Sequence, residues 1–131
     1  MENNDNTSLT EIPLLTFNSL QNLRLGEIKI KKLQELPDLF YEATEEFFKN
    51  KENEIKRLKD EPSKILKEKQ ILKKSKDLLE SIIEYRCKKI SNLAICEELY
   101  GEETISKDNI LEKEKDFFEN VKKATKKIKK I

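Results

Sequence analysis

Histidine is absent from all 131 residues, and so is tryptophan. Without histidine, Ser–His and Cys–His nucleophilic pairs and every His-ligated metal site are excluded. Cysteine occurs twice, at Cys87 and Cys96. On one helix these would be separated by about 13 Å of rise, too far for a disulfide, so free thiols are expected. With no Cys-x-x-Cys spacing, no metal site is expected either. There are only two glycines and three prolines. Neither G-x-G-x-x-G nor G-x-x-x-x-G-K-[ST] occurs, which removes the phosphate-cradling loops, and no cofactor is expected. No apolar run is long enough to span a bilayer and no signal peptide is read, so a cytoplasmic location is expected.

What the chain has is charge and helix formers. Charged residues make up 40% and hydrophobic residues 36%. Few turn residues with many Lys, Glu, Leu and Ile predict an all-α fold, a bundle of long amphipathic helices. The length suits a single domain over residues 1–131, with 1–12 expected to be flexible and no second domain present. The net charge of +1 argues against the whole molecule acting as an electrostatic nucleic-acid binder. The charge is uneven, however. Lys122, Lys123, Lys126, Lys127, Lys129 and Lys130 form a basic tail over 121–131 that contains no acid. Acid pairs such as Glu45/Glu46, Glu97/Glu98 and Glu102/Glu103 read as solvated helix faces, and the chain is expected not to be an enzyme.

The chain is organised around residues 79–95. At about 100° per residue, Leu79, Ile82, Ile83, Arg86, Ile90, Leu93 and Ala94 fall on one helical face. The stripe extends back through Ile65, Leu72 and Ser75. Arg86 sits in its middle and cannot lose its charge, so it requires a carboxylate or carbonyl from a neighbouring segment. An inter-helix ion pair is favoured over a phosphate contact. Glu42, Glu45 and Glu46 are the candidate partners, from a helix predicted over 40–59. That helix follows Pro37, with Asp38 as cap and Phe40, Ala43, Thr44, Phe47, Ile55 and Leu58 on one face. The long helix is predicted over 63–99, ending before Gly101. At about 55 Å it exceeds what one small chain covers, so part of its face is expected to be an oligomer interface. A last helix is predicted over 111–128, capped by Ser106 or Asp108.

Other segments carry smaller signals. Leu14, Phe17 and Leu20 suit one short helical face. Ile28 and Ile30 alternate with Glu27, Lys29 and Lys31, which predicts either a short β segment or an extended stretch at 26–31. Lys88 and Lys89 are expected in solvent. Cys87 reads first as a small interface residue; the alternative is a thiol whose pKa is lowered by Arg86 and Lys88 beside it.

Two motifs, in order, resemble subunits of the GINS replication complex. Leu36-Pro37-Asp38-Leu39-Phe40-Tyr41 is similar to the start of the first long helix in archaeal GINS subunits. Arg86, Lys88, Lys89, Ile90, Leu93 and Ala94 look like the end of the long helix in that family. With the late helix, the resemblance spans roughly residues 33–128. It implies a helical A-domain of the type with that domain first, here without the small β-rich B-domain. It further implies a non-catalytic scaffold that joins a second GINS subunit type in a tetramer. Such a scaffold bridges the MCM helicase and a RecJ-like partner at the replication fork, in a nucleoid-associated location. The expected assembly residues are Phe40, Phe47, Leu79, Ile82, Ile83, Arg86, Ile90 and Leu93. The alternative is a small helical nucleic-acid-binding protein that uses the six tail lysines.

Overall fold

The computed structural model describes residues 13–101 and 107–130. The expected flexible stretch 1–12, the acid pair Glu102/Glu103 and the candidate cap Ser106 lie outside the described residues. The described residues form an all-α bundle of four helices: α1 Phe17–Lys29, α2 Phe40–Arg57, α3 Pro62–Tyr100 and α4 Lys115–Lys129. A single 3₁₀ turn, Glu112–Glu114, leads into α4.

Local chemistry sets the helix ends. Thr16 caps α1 through a reciprocal pair: its Oγ1 accepts from the Ser19 amide at 3.1 Å, and its own amide donates to Ser19 Oγ at 3.0 Å. Pro62 occupies the first turn of α3, where its missing N–H costs nothing. Gly101 ends α3 at φ 101°, a backbone conformation that favours glycine. Asp38 does not cap α2. The N-cap residue is Leu39, with no side-chain cap, and the Phe40 amide donates to Pro37 O at 3.0 Å.

The stretch 26–31 is neither a strand nor wholly extended. Gly26 to Lys29 complete α1, and the chain leaves the helix at Ile30. The alternation is inverted as well: Glu27 is buried, whereas Ile28 and Ile30 are exposed. Burial of a carboxylate overrides the hydropathy pattern here because cations from α3 await it.

α3 is the spine, about 58 Å long by its rise per residue. α1, α2 and α4 all pack on it. Its inward face joins two apolar clusters. Ile82 belongs to the first, with Leu15, Leu20, Leu36, Phe40, Ala43 and Leu111. Ile90 and Ala94 belong to the second, with Leu33, Ile110 and Phe118. Arg86 lies one helical turn from each isoleucine, between the clusters. The face from Ser75 to Glu97 is therefore covered by this chain's own segments.

Candidate functional site

The guanidinium of Arg86 has no solvent exposure, a property it shares among the described charged residues with Glu27. It has five N–H donors and makes five hydrogen bonds. Nε donates to Glu114 Oε2 at 2.7 Å and Nη2 to Glu114 Oε1 at 3.0 Å, a two-point grip on one carboxylate. Nη1 donates to Glu27 Oε1 at 2.9 Å and to Gln34 O at 2.8 Å. Nη2 also donates to Asn109 O at 2.9 Å. One side chain thereby ties α3 to the end of α1, to the segment after it, to the loop before α4 and to the 3₁₀ turn.

The two carboxylates are themselves saturated. Glu114 also accepts from the Tyr41 hydroxyl at 2.6 Å and from the Leu111 amide at 2.9 Å. Glu27 also accepts from the Gln34 amide and side chain, both at 3.1 Å, and from Lys89 Nζ at 2.7 Å. Gln34 reaches Leu23 O at 2.9 Å by lying directly over Gly26, where a Cβ would collide with its amide oxygen. Two cations thus face two carboxylates, and the node is neutral.

Each pKa direction follows from this packing. Burial pushes the Glu27 carboxyl up, but Lys89, the Gln34 amide and Arg86 together outweigh it and hold it below the usual carboxylate range. Burial pulls the Arg86 value down, and the bonds to Glu114 and Glu27 more than restore it. Burial and the bond to Glu114 raise the Tyr41 hydroxyl far above its ordinary value. The Cys87 thiol moves up, against the alternative of a lowered one. Burial and the Glu114 charge raise it, against a smaller pull from Arg86.

A second node lies about three turns further along α3. Glu97 is buried between Lys122 Nζ at 2.6 Å and Lys107 Nζ at 2.9 Å. The Lys122 hydrogen bond, with the ion pair to Lys107, holds its carboxyl low against burial. Lys107 also lies 5.6 Å from the centre of the Phe118 ring.

The expected partners of Arg86 were misplaced. Glu45 and Glu46 are exposed, and Glu42 meets Lys113 at 3.7 Å. The true partners, Glu27 and Glu114, come from helix α1 and from the turn before α4. Glu27 was legible in one respect: read as helix, Leu20, Leu23 and Glu27 share a face. Lys89 is not free in solvent. Its Nζ closes the end of α1, at 2.7 Å from Glu27 O and Ile30 O and 2.9 Å from Lys32 O. Lys88 is exposed, pairing with Glu84 at 3.2 Å.

Of the expected assembly residues, Phe40, Ile82, Arg86 and Ile90 are buried within the chain itself. Phe47, Leu79 and Leu93 are half-buried against its clusters, and Ile83 stands 36% exposed. Among the tail lysines, Lys122 binds Glu97, and Lys129 donates to Glu98 O at 2.7 Å. Lys123, Lys126, Lys127 and Lys130 are exposed. Among the described residues no three metal-ligating side chains converge, and no helix is long and apolar enough to cross a membrane. Comparison with protein-family models, curated proteins and solved structures gives no match.

Chemically, the Arg86 node is an ordering device. Its cation does not deprotonate at working pH, and its acids are enclosed and fully bonded. It holds segments in register and presents no reacting group to solvent.

Proposed function

We propose that the chain is a non-catalytic scaffold, a GINS-like subunit that joins a second subunit type and bridges the MCM helicase and a RecJ-like partner. The observation that carries the non-catalytic part is the saturation of Arg86: the chain's buried polar chemistry is spent on holding helices together. The replication role rests on the order of the two GINS-like motifs. The burial of Phe40 in one apolar cluster and of Arg86 beside it supports the structural roles those motif residues would have.

A scaffold also needs surface for partners. Ile83, Leu99, Tyr100 and Ile128 are exposed large apolar residues on α3 and α4. Phe47 lines a cleft of about 420 Å³ with Ala43, Pro13 and Leu14, and Leu14 is 88% exposed. These residues, rather than the enclosed Ile82 and Ile90, are the ones a neighbouring subunit would meet.

The test is mass in solution. Co-expressed with a candidate second GINS subunit and sized by light scattering, the protein should run as a tetramer. Ile83→Lys with Tyr100→Glu should release a folded monomer. A wild-type monomer that ignores GINS and MCM proteins would overturn the proposal.

A further inference from the structure

The outer half of the α2–α3 hairpin is built differently from the rest of the molecule. No residue between Thr44 and Ser75 is buried. Residues 49–74 carry ten Lys or Arg and five acids in a chain whose net charge is +1, so the remainder is net acidic. Four of those acids are already engaged: Glu52 with Lys76, Glu54 and Glu68 with Lys51, and Glu61 with Lys64.

The cations are not matched in the same way. Lys49, Lys56, Arg57, Lys67 and Lys74 are exposed, and none of them forms an ion pair among the described residues. Lys49 and Lys56 are seven residues apart, on the side of α2 opposite Phe40, Thr44 and Phe47. Lys67 and Lys74 have the same spacing along one flank of α3. Arg57 and Lys67 both line a cleft of about 410 Å³, together with Leu58, Lys64 and the already paired Glu54 and Glu68.

We propose that this outer hairpin docks the phosphate backbone of a nucleic-acid duplex, independently of whether the scaffold reading holds. Exposed lysines with no intramolecular partner gain most from a dense polyanion, because their binding releases its condensed counterions. Leu66 is the only large apolar residue exposed on these turns. That is too little for the apolar centre of a protein interface or for insertion into a membrane. A single strand is less suited, since the two aromatic rings in the region, Phe47 and Phe48, are both half-buried, Phe48 beneath Lys76, and offer no open stacking platform. The predominance of Lys over Arg points to backbone contact without base readout.

Fluorescence anisotropy of the full chain with a labelled 20-base-pair duplex tests this. If about five phosphates are neutralised, log affinity should fall with log salt at a slope of about −4.5, a loss of roughly 500-fold between 50 and 200 mM. The variant K49Q/K56Q/R57Q/K67Q/K74Q should keep wild-type helicity and melting while losing at least about 100-fold in affinity at 50 mM salt, with a slope near zero. The variant K123Q/K126Q/K127Q/K130Q should bind within about threefold of wild type. Unchanged binding by the hairpin variant overturns the proposal, as does an equal loss in the α4 variant. So does a wild-type chain that leaves the duplex free at 50 mM salt, or that prefers an acidic peptide or an anionic vesicle.

Discussion

Helix α3 passes through two environments, and the contrast between them separates structural charge from available charge. From Ser75 to Glu97 its inward face is enclosed by α1, the start of α2, the loop before α4 and α4 itself. Each buried charge there is matched: Arg86 by two carboxylates and Glu97 by two lysines. From Pro62 to Lys74 no residue is buried, and ion pairs run only to α2 or along α3's own surface. Where water is excluded, an unmatched ion costs several kcal/mol, so the fold supplies counter-charges. Where water screens, lysines stand unmatched at little cost and stay free for a partner.

The contrast can be broken most directly at Arg86. Arg86→Met leaves Glu27 and Glu114 buried without their shared counter-charge and should destabilise the protein by about 3–5 kcal/mol. Urea unfolding followed by circular dichroism measures it, and wild-type stability would dissolve the distinction. Ile82→Ala opens a cavity beside the node and should cost about 2–5 kcal/mol, read from the same midpoints. Tyr41→Phe removes one hydrogen bond to a carboxylate that keeps its other partners, so about 1–2 kcal/mol should be lost. Leu66→Ala, at a side chain 60% exposed, should shift stability by about 0.5 kcal/mol or less.

Acid sharpens the comparison further. The folded-state value of Glu27 lies below its ordinary 4.5. The stability it contributes is therefore complete above pH 4.5 and disappears as pH falls through the depressed value. Glu97 acts in the same direction. Wild-type unfolding midpoints should hold from pH 7 to 4.5 and then drop. Glu27→Gln should lower the midpoint at pH 7 and flatten the acid limb. An unchanged acid limb in that variant would remove Glu27 from the account.

Much of the fold could be read in the chain, for local reasons. Pro62 and Gly101 bracket α3 within a residue or two of the expected 63–99, because one fits a first turn and the other accepts a positive φ. The apolar stripe through Ile82, Arg86 and Ile90 is the buried face, because helical periodicity survives any tertiary arrangement. The candidate site was half legible. That Arg86 needs carboxylate or carbonyl partners follows from its charge alone. Which carboxylates answer it does not, since Glu27 and Glu114 lie 59 and 28 residues away in sequence. Glu27 was hidden further by an alternation that imitates a strand.

By itself the sequence determined the helical class, the spine and its ends, and the demand of one arginine for anionic company. Those properties depend on neighbours within a few turns. Tertiary structure alone decided that α1 and the turn before α4 meet that demand, that Lys89 seals a helix end, and that the outer hairpin keeps unpaired cations. The physical reason is range. Helix periodicity and capping act over a few residues, whereas the matching of buried charges is settled only when distant segments exclude water together.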